Sequence, residues 1–131
     1  MKRLVSSLGA LALVVVLTPA AASAQMGDMP KGEEVTVEGT VVDLDCKFRN
    51  GQSGDGHRMC AQVCADAGLP LAILGDDGKL YMIVGGGMPG DPVAKHNAKL
   101  KDFAEQHVVV HGKAYQAGGA FALTIESIER S

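Results

Sequence analysis

The stretch Glu33-Glu34-Val35-Thr36-Val37-Glu38-Gly39-Thr40-Val41-Val42-Asp43-Leu44-Asp45-Cys46 alternates as a β-strand does. Val35, Val37, Gly39 and Val41 fall on one face, and Thr36, Glu38 and Thr40 on the other. Past Val41 the apolar set becomes Val42, Leu44 and Cys46. This change of phase predicts a β-bulge, and Gly39 permits a sharp bend. A long, bent first strand that ends at Cys46, on its apolar face, is what a small closed barrel needs. Asp43 and Asp45 alternate with Val42 and Leu44 and are expected to face solvent at the strand end.

Downstream of this strand, Asn50 to Gly56 holds no apolar residue and reads as a loop. Its glycines fit no phosphate-binding spacing. His57 to Ala67 reads as a short helix, capped by Asp55 or Ser53 and ended by Gly68 and Pro70. At 100° per residue, His57, Cys60, Ala61, Cys64 and Gly68 share one face of it. Leu69 to Leu74 is a second strand, Gly75-Asp76-Asp77-Gly78 a hairpin turn, and Lys79 to Val84 a third strand. Asp91-Pro92 opens a second helix, expected to run to about Gln106. Val93, Leu100, Phe103 and Ala104 form its inward stripe, and Lys95, Lys99 and Lys101 a solvated face. His107 to Tyr115 is a fourth strand. A fifth carries Phe121, Leu123 and Ile125, with Ile128 resuming the buried set after a bulge. His107 and His111, four apart on a strand, are separated by about 13 Å and cannot grip one ion.

Upstream lies a targeting segment. Lys2 and Arg3 precede an apolar run from Leu4 to Leu17, and Ala22-Ser23-Ala24 has the A-x-A form of a cleavage site. The run is short for a membrane span, which takes ~20 residues. Residues 1–24 are therefore expected to be a signal peptide, 25–32 a flexible leader and 33–131 the domain. Met26 and Met29 of the leader offer soft sulfur to copper, but read more simply as part of an unstructured terminus. The expected location is periplasmic or secreted, with no membrane association after cleavage. Removal of 24 residues from 131 leaves one small domain, with 10 basic side chains against 15 acidic ones. An acidic chain with three Phe, two Tyr and no Trp is poorly equipped to bind nucleic acid.

The order strand, strand, strand, helix, strand, strand resembles that of the OB-fold, a five-stranded Greek-key barrel with a helix between its third and fourth strands. Val37-Glu38-Gly39-Thr40-Val41-Val42-Asp43 and Val108-Val109-Val110-His111-Gly112-Lys113-Ala114 are similar to the strand openings of that fold. The expectation is an all-β chain with short helices, an OB-fold-like barrel with a Cys-bearing helical insertion between strands one and two. Cys46, His57-x-x-Cys60-Ala61, Cys64 and Gly68-x-Pro70 are also similar to a group of small exported bacterial OB-like proteins of unsettled function. That resemblance implies fold and export, and no activity.

The end of the first strand and the insertion after it hold all three cysteines. Cys46, His57, Cys60 and Cys64 could form a shell of three sulfurs and one nitrogen, suited to zinc or to Cu(I). The C-x3-C step places two thiolates one helical turn apart, similar to the copper-binding C-x3-C of Sco-type assembly proteins, whose thioredoxin-like fold is not the one read here. The alternative is covalent. In an oxidising compartment, Cys46 bonds to Cys60 or Cys64 and staples the insertion to strand one. Closing a loop of ~15 residues stabilises by about 3 kcal/mol in the chain-entropy model. Either reading makes the chain a binding protein, for a metal ion or for a small molecule or periplasmic protein partner. Catalysis is not expected: no Ser-His-Asp order appears, and no third group is evident to orient His57 towards a cysteine nucleophile.

Overall fold

A computed structural model describes residues 30–85, 95 and 97–131. The expected signal peptide, Met26, Met29, Val93 and the start of the expected second helix lie outside the described residues. Five strands, β1 (Glu33–Asp43), β2 (Leu71–Gly75), β3 (Leu80–Ile83), β4 (His107–Ala117) and β5 (Ala120–Arg130), close a barrel in the order β1-β2-β3-β5-β4. All neighbours are antiparallel except β3 and β5, so the sheet is mixed. Two short helices, α1 (Leu44–Asn50) and α2 (Arg58–Asp66), fill the connection from β1 to β2.

β1 is the strand that both edges of the sheet share. Residues Glu33 to Thr40 pair with β4, and Gly39 to Asp43 pair with β2. The overlap falls at Gly39 and Thr40, and at Gly39 a Cβ would strike the Leu74 carbonyl and lie 2.7 Å from Gly75 Cα. The bulge expected in β1 is absent, since both pairings run in unbroken register. The apparent change of phase has another cause. Val41 and Val42 are both buried, because α1 and α2 pack against β1 and cover its outer face near this end. An alternation kept in one phase carries Asp43 to the same face as Val37 and Val41.

The expected bulge in β5 is present. His111 faces Ser127 and Gly112 faces Ile125, which leaves Glu126 without an opposite residue. Ile128 then returns to pack on the core. That core is aliphatic: Val37, Val41, Ile73, Leu100, Val108, Val110 and Leu123 fill the barrel, with Tyr81 as its buried aromatic ring.

Two helical expectations change. The first strand stops at Asp43, and Cys46 lies on α1 rather than on a strand. The second helix does not reach Gln106. Lys95 and Asn97 have helical backbone, but turns follow, then a single 3-10 turn at Lys101–Phe103. The buried Asn97 side chain makes the break useful. Its Oδ1 accepts the Leu71 N–H (3.1 Å), and its Nδ2 donates to the carbonyls of Ala65 (3.0 Å) and Leu69 (2.8 Å). One amide thereby clips the end of α2 to the start of β2. The expected solvated face of lysines is found, with Lys95 and Lys99 exposed and Lys101 half-buried. Lys99 Nζ donates to the Ile125 carbonyl (2.7 Å), and Lys101 Nζ to Asp66 (2.6 Å).

Candidate metal centre

Asp43 stands where strand becomes helix. Its backbone is extended, and its Oδ1 accepts the N–H of Cys46 (3.2 Å), the N-cap bond of α1. Asp45 in the first turn, Lys47 and Arg49 in the last, and Gly51 in a left-handed conformation complete a well-signalled short helix. This capping turns the Cys46 side chain inward, and the residue is buried. Asp43 is itself fully buried, against the expectation that it faces solvent. Its Oδ2 has no N–H or O–H partner.

A 3-10 turn, Asp55–His57, leads into α2 without a side-chain cap, contrary to the capping expected from Asp55 or Ser53. Ala61 and Ala65 are buried, and their small side chains let α2 lie close to the barrel. Gln62 Nε2 and Arg58 Nη2 donate to the carbonyls of Lys101 (3.3 Å) and Asp102 (3.2 Å), which pins the outer side of the helix. Cys60 and Cys64, one turn apart, are thereby presented towards Cys46.

The cysteine and histidine donors do converge. One donor atom each from Cys46, His57 and Cys60 lie within 4.8 Å of one another, as do those of Asp43, Cys46 and Cys64. All four ligands expected from the sequence belong to this cluster, and Asp43 joins them. The three cysteines are free thiols, close together but unbonded. Cys60 is exposed and Cys64 half-buried, so the cluster opens to solvent on the α2 side. His107 and His111 take no part, as expected. They are exposed on β4 and bond to Asp76 and Thr36.

His57 is held from behind. Its Nδ1 lies 3.2 Å from Oε1 of Glu105, and the other Glu105 oxygen accepts the Gly54 N–H at 2.7 Å. The buried carboxylate keeps the ring proton on Nδ1 and leaves Nε2 as the donor. Nε2 is buried and has no hydrogen-bond partner. A histidine backed by a carboxylate in this way is the usual arrangement of a metal ligand. Glu105 reaches the site from an unusual backbone: its φ is 58°, left-handed for a non-glycine residue. Its N–H bonds the Val41 carbonyl (2.8 Å), and the Gln106 carbonyl accepts the Val41 N–H (3.0 Å). Such a conformation costs about 1–3 kcal/mol and persists where its surroundings enforce it. Glu105 is the orienting group that the sequence did not reveal. No local signal points to it, because it lies far from His57 in the chain.

Burial pushes the Cys46 thiol above the ordinary thiol range, and the Asp43 carboxylate adds to the shift. Burial, again reinforced by Asp43, raises Cys64 to about 12. Both are therefore thiols at neutral pH until a cation displaces their protons. The donor set is sulfur-rich with one imidazole, which favours zinc or Cu(I) over magnesium or calcium.

At the other end of the barrel is a cleft of about 410 Å³, lined by Lys79, Tyr81, Tyr115, Gln116 and Phe121 among others. Among the described residues, no helix is long and apolar enough to cross a membrane. Compared with protein-family models, characterised proteins and solved structures, the chain matches none.

Proposed function

We propose that this protein is an exported, OB-fold-like metal-binding protein that takes zinc or Cu(I) at Cys46, His57, Cys60 and Cys64. The observation that carries this reading is the convergence of two thiols, Cys46 and Cys60, on a buried imidazole nitrogen without a partner, with Cys64 joined to the cluster through Cys46. The mixed barrel order, with β3 parallel to β5, supports the OB-like assignment. Export rests on the leader sequence. The exposure of Cys60 gives an ion a route to the site from solvent on the α2 side, as loading and release would need.

The test is metal retention by the reduced protein, loaded with Zn²⁺ or Cu(I) and desalted. Cys60→Ser is expected to lower retention at least tenfold, while His107→Ala and His111→Ala retain it fully. Equal retention by Cys60→Ser and the parent protein rejects the reading.

A second reading has its own observation, the aromatic cleft at the far end of the barrel. There the barrel would bind a small molecule and the cysteines would serve as a staple. It requires that reduction lower the melting temperature and that a chelator leave it unchanged.

A further inference from the structure

Resting on that metal-binding reading, we propose that the cluster is a two-ion site bridged by the Cys46 thiolate. One divalent transition-metal ion is held by Cys46, His57 and Cys60, and a second by Asp43, Cys46 and Cys64.

The donors of the described residues fall into two triads that share Cys46. Each triad contains one buried polar atom without a conventional partner: Nε2 of His57 in the first and Oδ2 of Asp43 in the second. Orphaned buried polar atoms are uncommon, and each one needs a reason. An ion at the first triad satisfies His57 but leaves the Asp43 carboxylate only the weak bonds of neighbouring thiols. An ion at the second leaves the His57 nitrogen without a partner.

Sulfur suits the shared position, because a thiolate retains lone pairs for a second metal where an imidazole nitrogen does not.

Native mass spectrometry of the reduced protein titrated with Zn²⁺ tests this. The parent protein is expected to saturate at two ions. Asp43→Asn and Cys64→Ser should each saturate at one, and Cys46→Ser should hold neither ion tightly. Asparagine also caps helices, so Asp43→Asn keeps α1, and Cys64→Ser tests the same ion without touching the cap. Saturation of the parent at one ion overturns the two-ion site and leaves the metal-binding reading standing. A parent that retains no Zn²⁺ overturns the two-ion site, and one that retains neither Zn²⁺ nor Cu(I) overturns the metal-binding reading as well. Two ions persisting in both Asp43→Asn and Cys64→Ser would place the second ion elsewhere, and one ion held tightly by Cys46→Ser would exclude the bridge.

Discussion

Glu105 shows how much of a site can rest on one residue that binds nothing itself. Its carboxylate fixes the His57 tautomer and ties down the Gly54 backbone. Glu105→Gln keeps the size of the side chain but removes its charge. Metal affinity, measured by competition with a chromophoric chelator, is expected to fall roughly 10- to 100-fold. An unchanged affinity would make Glu105 purely structural. The contrast with Cys46, His57, Cys60 and Cys64 explains what the sequence could tell. Thiols and a histidine grouped in a chain otherwise poor in such residues are legible as donors. Glu105 is one of many acidic residues, and its left-handed φ runs against local preference, so only the assembled barrel identifies it. Asp43 was misplaced for a related reason: Val42 looked like the start of a new phase because the insertion covers the outer face of β1.

Among the elements, α1 was legible in principle. Asp43 as cap, Asp45 early, Lys47 and Arg49 late and Gly51 at the end are its signals. They were outweighed by the run of alternation that precedes them. The β4–β5 pair shows a constraint that alternation cannot convey. A Cβ on Gly112 would collide with the Thr124 carbonyl at the bulge. Gly112→Ala is expected to destabilise by about 1–3 kcal/mol in urea unfolding. Gly56→Ala, which meets open space, should leave the midpoint unchanged. The β2–β3 turn has a pH signature. Asp77 accepts bonds from the Lys79 N–H (3.0 Å), Lys79 Nζ (2.9 Å) and the Tyr81 hydroxyl (2.8 Å). The Lys79 backbone and side-chain bonds hold its carboxyl below the usual carboxylate range, and Asp77 in turn holds the Lys79 ammonium above its usual value. The Asp77 contribution is present above the unfolded carboxylate value of about 4 and is lost as pH falls through the lower folded value. The Lys79 contribution is full below about 10.4 and is lost as pH rises through its higher folded value. Both groups are exposed, so solvent screens the pair and the stabilisation is small. The melting-temperature gap between the parent and Asp77→Asn should be constant from about pH 5 to 9 and narrow below about pH 4. A gap that widens in acid would contradict the assignment.

At the scale of the whole molecule, the succession of strands and turns made the barrel legible, because each strand carries its own alternation and each break its own glycines. The closing contacts were not legible. Glu33 pairs with Ala114, about 80 residues away, and β3 runs parallel to β5 across the β4 strand between them in sequence. These long-range pairings also set a timetable. Sheets closed by distant partners assemble slowly, over milliseconds to seconds, because a large loop must be ordered before its contacts form. The donors from Asp43 to Cys64 lie in one short stretch and need no such closure to come near one another. Glu105 reaches His57 only when the chain beyond β3 has returned to Val41. A nascent chain could thus seize an ion with its thiols well before the barrel shuts, and the last act of folding would then set how firmly it is kept.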